Sequence, residues 1–442
     1  MVEASRTRTD SGPSLLLSEY RAARERFFAR RGAQFPDTLA DPYDLLDVFP
    51  LPRSEVTAIL EAARAAGSVY RRAAALIRSL RDESLLEMGL PATALGAARM
   101  AVPGMPDTVW GRFDFARSDD GYKLLEFNAD APGFLVETFS VNARVCRDAG
   151  LVDPNAGGEA ALAAALLDAL HAGADSVGRG SGARVAFASC GHCRRDVAMA
   201  RYLMTLLTGG NGLRADYFPL TSLRADASGL YDPAGDRIDV LCRIYPLHLF
   251  RGPLFEPHSL SGGAGAEESG TLIFDLAVSR RLALVNPPSA ILLASKAVQA
   301  LIWGLFEAGL VFSAEERDTI RRFFLPTCLD PPESGLPYVV KPAFGSEGSG
   351  VSLVDRRSGT TRRGSSAAWT EEPLVYQRYV EIPTRELMTE HGPRTLHLLF
   401  SCFLIAGEPM GICLRAGELI TDESAWVVPL CVAGERADRT LS

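Results

Sequence analysis

From Leu15 to about Ala98, apolar residues recur at three- and four-residue spacing within alanine-rich, arginine-punctuated stretches, most regularly in Ser54–Leu80. That period predicts a helical N-terminal region serving as scaffold. Past residue 110 the period changes to two. In Gly111-Arg-Phe-Asp-Phe-Ala and Tyr122-Lys-Leu-Leu-Glu-Phe-Asn, Arg112 and Asp114 alternate with Phe113 and Phe115, and Glu126 and Asn128 alternate with Leu125 and Phe127. Two facing strands follow, apolar behind and polar in front. The connection Ser118-Asp-Asp-Gly121 suits a three-residue loop closed by glycine in the left-handed region, a register that sets Asp114 opposite Glu126 and Arg112 opposite Asn128.

Helical patterns cover Glu137–Gly150 and Gly158–Ala172, and Gly173–Gly182 reads as a flexible joint. From 183 to about 286, strand and helix alternate: Val185–Ala188, a helix around Arg195–Thr208, and a buried strand from Ile238 to Tyr245. This reads as a small α/β layer. A helix from about Ser289 to Ala308 and a strand Pro337–Pro342 follow, and strands Leu374–Tyr379, Thr395–Ala406 and Met410–Leu414 close the chain as an antiparallel sheet. Glycine, serine and charge in Ser259–Gly270 and Arg356–Ala368 mark mobile loops. The whole is a mixed α/β (α+β) protein, divided as 1–100 (helical), 101–180 (hairpin and helices), 181–288 (α/β layer) and 289–442 (a lobe with a glycine-rich loop and the C-terminal sheet).

With 442 residues, 47% of them hydrophobic, the chain can bury a large core in two or three lobes. A formal charge of −8 without a lysine-rich run or basic stripe argues against nucleic acid as a partner. The longest apolar runs, Ala290–Leu305 and Leu396–Ala406, are short or interrupted by Lys296, so no membrane span is expected. Met1–Ser14 lacks a secretory pattern, so a cytoplasmic protein is expected. Cys242, Cys402, Cys413 and Cys431 sit in apolar surroundings as reduced thiols do. Cys190-Gly-His-Cys193, just after a predicted strand, reads as a zinc ligand pair, a thiol–disulfide pair or a substrate-contact loop.

The polar face of the hairpin offers chemistry. Directly opposed carboxylates repel, and Mg²⁺ held by Asp114, Glu126 and Asn128 would relieve them, with substrate phosphates completing its shell. An ordinary solvated face is the other reading of the same pattern. Lys341 ends a strand and runs into Ala343-Phe-Gly-Ser-Glu-Gly-Ser-Gly350, where Gly345, Ser346 and Gly348 would turn backbone N–H groups toward an anion. The lysine precedes the glycines, so this is not a Walker A loop, and a hairpin tip is the alternative. Lys296, on an otherwise apolar helix, needs a partner or snorkels. Leu374-Val-Tyr-Gln-Arg-Tyr-Val-Glu-Ile-Pro has the character of a hinge against which an adenine could lie.

Together, Arg112-Phe-Asp114, Glu126-Phe-Asn-Ala-Asp130, Asp239-Val-Leu-Cys-Arg-Ile-Tyr-Pro246, Asn286-Pro287 with Lys296, Val340-Lys-Pro342, Val375-Tyr-Gln377 and Leu419-Ile-Thr-Asp422 resemble the glutathionylspermidine synthase family of ATP-grasp ligases. The similarity runs from about residue 100 to the C-terminus, with the metal elements ahead of the nucleotide lysines, the family's permuted order. The resemblance implies an ATP-grasp fold behind a small pre-ATP-grasp layer. It also implies ATP- and Mg²⁺-dependent, ADP-forming amide synthesis from a small-molecule acid and an amine through an acyl phosphate. It assigns Asp114, Glu126 and Asn128 to Mg²⁺, Lys296 and Lys341 to the phosphates, Gln377 to the neighbourhood of the adenine, and Arg112 and Arg415 to the transferred phosphate or the acyl phosphate. The N-terminal region is too short for the thiol amidase of bifunctional members, so product hydrolysis is not expected. Where family members place hydroxyl residues after Asn128-Ala-Asp130, this chain has Ala131-Pro-Gly133, which argues against glutathione as the acid. The alternatives are glutathionylspermidine synthesis itself, a nucleotide-binding protein without ligase activity, and a phosphotransferase.

Overall fold

The computed structural model describes residues 13–29, 45–207, 209–250, 269–345, 347–364 and 372–437. Its centre is a six-stranded antiparallel sheet in which Trp426–Val428, Glu408–Gly417, Gly392–Ile405, Trp110–Ser118 and Gly121–Asn128 lie side by side, with Thr384–Thr389 also paired to Gly392–Ile405. The hairpin near residue 120 and the C-terminal strands, some 280 residues apart, therefore share one sheet.

The helix Arg53–Arg78 covers the back of this sheet. Val56, Ile59, Ala63, Ala66, Tyr70, Ala73 and Ile77 are all buried on one stripe, and the small residues among them let the helix lie close to the strands. Tyr70 meets Phe113 and Phe127, which stack on each other with ring centres 4.1 Å apart. The period-two reading of the hairpin thus finds its apolar face in this aromatic cluster. The N-terminal region is not wholly helical, since Phe49–Leu51 pairs in parallel with Leu430–Val432. Residues 30–44 of the predicted helical stretch lie outside the described residues.

The α/β layer is a four-stranded parallel sheet ordered Ala283–Val285, Val240–Ile244, Arg184–Ser189, Arg214–Pro219. The helix Gly158–Ser176 fills the space between this sheet and the central one, burying Leu162, Leu166 and Leu170 among Val185, Phe187 and Phe403. It continues four residues past the predicted end, through the first part of the expected joint. The predicted strand Ile238–Tyr245 is interrupted at Asp239, whose carboxylate accepts from the Arg184 backbone N–H at 3.0 Å and from Arg179 at 3.0 Å.

A third sheet, antiparallel and five-stranded, runs Thr327–Cys328, Leu374–Arg378, Tyr338–Pro342, Ser352–Asp355, Thr360–Arg363. The stretch from Arg356 to Arg363, read as a mobile loop, supplies the turn and second strand of a hairpin. Most of Ser259–Gly270 and residues 365–368 lie outside the described residues. The predicted helix Ser289–Ala308 is broken, into Ala290–Ala294 and Ala297–Glu307, because Ser295 is extended and its hydroxyl is tied to the Met88 carbonyl at 2.7 Å. Among the described residues, no helix is long and apolar enough to cross a membrane.

Candidate functional site between two sheets

The central and five-stranded sheets face each other across a cleft lined by Asp114, Glu126, Lys296, Lys341, Gln377 and Arg415 at one end and by apolar side chains such as Val339, Leu353, Leu399 and Ile420. Strand pairing brings the polar set together. Arg415 lies opposite Leu399, Ser401 opposite Asp114, and Asp114 opposite Glu126, so these residues cross the front of the central sheet in sequence. The register expected for the hairpin is present, but it arises differently. Ser118 pairs with Gly121 in a two-residue turn, and an irregularity after Asp114 leaves Leu125 as an extra residue that restores Asp114 to Glu126. The bulge has a consequence: the Leu125 carbonyl accepts from Lys341 Nζ at 3.1 Å and from Gln377 Nε2 at 3.2 Å.

Each carboxylate is held by cations. Arg112 donates to both oxygens of Asp114, at 2.7 and 2.9 Å, and Arg415 donates to Oδ2 at 2.7 Å. Glu126 lies 3.2 Å from Lys296 Nζ, and the Asn128 amide donates to Asp114 at 3.2 Å and to Glu126 at 3.3 Å. The sequence argument that two opposed carboxylates demand a metal between them is therefore corrected, because four side-chain cations (Arg112, Arg415, Lys296, Lys341) already outnumber two carboxylates. The balance of charge is +2. Such a balance suits a polyanion.

Burial and charge set the protonation states. Burial works to raise the Glu126 pKa, but Lys296 and then Lys341 outweigh it and hold the carboxyl well below the usual range. Burial pushes the Lys341 ammonium down to about 8, with Lys296 as a like charge adding to the effect. Lys341 also donates to Gln377 Oε1 at 2.8 Å. The Gln377 amide is spent inside this network, giving its Nε2 hydrogens to Leu125 and to Gln299 Oε1 at 3.0 Å, so it anchors the lysine and is 2% exposed.

The glycine-rich loop closes one side. Lys296 Nζ donates to the Gly345 carbonyl at 2.8 Å and the Lys296 N–H to the Ala343 carbonyl at 2.8 Å, so the helix break places this lysine under the loop. Gly348 has φ +69°, and a Cβ there would stand 2.7 Å from the Thr421 carbonyl oxygen. The loop needs glycine at this point. Ser346 lies outside the described residues.

Sequence reading did not find Phe134. Its ring lies under both guanidiniums, 5.3 Å from Arg112 and 5.4 Å from Arg415, and its backbone is left-handed at φ 76°. A bulky residue in that region marks strain at a site. Its only sequence signal is the Gly133-Phe134 pair at the departure already noted. Gln299 and Ser401 were also missed, since each follows an apolar pattern and reads as core.

Arg415 Nε is buried with no partner among the described residues, on the guanidinium that reaches Asp114, which fits an anion arriving at this end of the cleft. Among the described residues no three of His, Cys, Asp and Glu gather as a metal set, and the oxygen donors there are those of Asp114, Glu126 and Asn128, the two carboxylates already engaged by side-chain donors. These are hard ligands of the kind Mg²⁺ takes when phosphates and water complete its shell.

The sequence profile described as glutathionylspermidine synthase preATP-grasp matches residues 18–433. The chain belongs to the glutathionylspermidine synthase family. Among solved structures, a glutathione synthetase-like effector from Globodera pallida in its apo form superposes with a TM-score of 0.52 at 13% identity, covering 96% of this chain and 98% of that one. That likeness shows the fold, the ATP-grasp type expected from the sequence. A putative gamma-glutamylcysteine synthetase from Methylobacillus flagellatus KT aligns over 86% of this chain and 88% of its own at 11% identity and a TM-score of 0.40, too low to carry an argument. No curated protein matches the chain. Family membership supports a carboxylate–amine ligase as the class of enzyme.

Proposed function

We propose that the chain is an ATP- and Mg²⁺-dependent, ADP-forming ligase that joins the carboxylate of an amino acid or small peptide to an amine. The observation that carries this reading is the charge of the cluster around Asp114 and Glu126: four cations set against these two carboxylates, beneath a loop that requires glycine and beside a guanidinium nitrogen without a partner among the described residues. A triphosphate answers all three. In the proposed arrangement the apolar walls take the adenine, Lys341 and Lys296 hold the phosphates, and Arg112 and Arg415 face the phosphoryl group in transfer. Asp114, Glu126 and Asn128 would hold Mg²⁺, which when bound neutralises charge on the phosphates.

The acid's carboxylate oxygen attacks the γ-phosphorus, the bond to the β–γ bridging oxygen breaks, and ADP leaves. The amine nitrogen then attacks the acyl carbon, the carbon–oxygen bond to phosphate breaks, and the nitrogen loses a proton as the amide forms. Positive charge fixed around the transferred group lowers both barriers. The glycine-rich loop, seated over Lys296, excludes water from the acyl phosphate. The test is a panel of free amino acids, dipeptides and glutathione offered with ammonia, amino acids and polyamines in the presence of MgATP, read as ADP and amide together. A pair that releases ADP and amide in equal amounts supports the reading, glutathione with spermidine included. ADP without amide for every pair, or no turnover at all, contradicts it.

A further inference from the structure

Cys190-Gly-His-Cys193 lies outside the ligase site, where the strand Arg184–Ser189 of the α/β layer ends and the helix Arg194–Thr205 begins, with Cys193 as its N-cap residue. Gly191 takes φ +84°, and a Cβ there would stand 2.9 Å from Pro219, so the chain can turn tightly between the two cysteines. Both thiols are half-buried, whereas Gly191 and His192 are exposed. The Cys190 sulfur receives the Cys193 S–H and the backbone N–H groups of Cys193 and His192. The Cys190 thiol donates to Asp196 Oδ2, on the first turn of the helix, at 3.8 Å, and Asp196 is also hydrogen-bonded to Cys193.

We propose that this pair is a thiol–disulfide exchange site for low-molecular-weight disulfides, and that its state is passed to the glycine-rich loop through Arg195. The Cys190 thiolate attacks one sulfur of the disulfide R–S–S–R, forming a mixed disulfide and releasing RS⁻. Cys193 gives up its proton and its sulfur attacks Cys190 in turn, forming the Cys190–Cys193 bond and releasing the second RS⁻. Two protein thiols are oxidised, one disulfide is reduced, and two RSH result.

The geometry assigns the roles. Three donors on Cys190, the Cys193 thiol first among them, bring its pKa down to about 7, so it is the attacking sulfur near neutral pH. The same hydrogen bond raises that of Cys193, the resolving sulfur. Burial lifts Asp196 to about 7, with Cys193 contributing, so its carboxylate can take a proton from the second thiol. The route to the loop is one residue long. Arg195 is 3.9 Å from Glu347, a residue of the glycine-rich loop with a left-handed φ of 54°. Replacing an S–H···S contact by a covalent bond draws Cys193 toward Cys190 and shifts the first turn of the helix that carries Arg195.

The test uses the full-length reduced protein carrying Cys328→Ser, because Cys328 is the other half-buried thiol and the remaining five are buried. It is incubated with glutathione disulfide near neutral pH and examined by intact mass and peptide mapping. The expected result is loss of two hydrogens with a Cys190–Cys193 crosslink, a stable glutathione adduct on Cys190 in the Cys193→Ser variant, and no adduct at this loop in Cys190→Ser. Free thiols at both positions after treatment, or equal adduct yields on the two single variants, would overturn the exchange site. Hydrogen exchange then reads the loop: oxidation should reduce protection of residues 347–350 in this protein and leave it unchanged in Cys190→Ser/Cys193→Ser. Identical protection in oxidised and reduced protein would overturn the coupling and leave the crosslink to be judged by mapping alone.

Discussion

Replacing Asp114 by alanine should do more than weaken catalysis. Asp114 is fully buried and is the common acceptor for Arg112, Arg415 and Asn128. Without it two buried guanidiniums face each other with no anion between them, and one of them already carries a nitrogen without a partner among the described residues. Breaking a buried ion pair by removing one partner costs about 3–5 kcal/mol, a large share of the stability of a typical protein. With an unfolding entropy of about 2.1 cal/mol/K per residue, 442 residues give about 0.9 kcal/mol/K, so the melting temperature should fall by roughly 3–5 °C. Thermal denaturation checks this directly. The vacated position becomes an anion site, so sulfate or pyrophosphate should raise the melting temperature of Asp114→Ala more than that of the unaltered protein, while Asp114→Asn, which keeps an acceptor, should lose less. A melting temperature within about 1 °C of the original, with the same response to sulfate, would refute the argument that Asp114 neutralises the two arginines.

The other predictions concern the lysines, Glu126 and the glycine-rich loop. Lys341 titrates near 8 in the free protein, and a bound triphosphate must raise that value, so binding takes up a proton. Nucleotide affinity measured by calorimetry should be level below about 8 and decline as pH rises above it, and Lys341→Arg, which stays charged, should lose this alkaline decline. Glu126→Gln removes a candidate metal oxygen and the partner of Lys296, and the Mg²⁺ concentration giving half-maximal turnover should rise at least about tenfold; an unchanged requirement would exclude Glu126 as a ligand. Gly348→Val places a branched Cβ at φ +69° and 2.7 Å from the Thr421 carbonyl, so amide formed per ADP released should fall, and retained coupling would show that the loop does not guard the intermediate.

Much of this architecture was legible because local pattern and tertiary burial agree. The helix Arg53–Arg78 and the hairpin at 110–128 were read at nearly their full length, since the stripe of the helix and the phenylalanines of the hairpin bury each other. What could not be read is backbone chemistry. Nothing in the side chains announces that Leu125 bulges and lends its carbonyl to Lys341, or that Ser295 interrupts an apolar helix to place Lys296 under the loop. Residues that follow an apolar pattern were also hidden: Gln299 reads as an interior helix position, yet it accepts from the amide that holds Lys341. Charge compensation was the remaining gap. Opposition of Asp114 and Glu126 was predicted from register alone, but besides the neighbouring Arg112 the cations that answer them, Arg415 and Lys296, come from a strand and a helix break about 300 and 170 residues away.

The central claim is that the cleft transfers the γ-phosphoryl group of ATP to a carboxylate. The most direct measurement supplies the active acid from the panel with its carboxylate oxygens labelled with ¹⁸O, together with MgATP and the amine, and examines the released phosphate by mass spectrometry. The account predicts one labelled oxygen in the inorganic phosphate for each amide formed, with ADP as the other product. Unlabelled phosphate, or AMP and pyrophosphate in place of ADP and phosphate, would contradict it.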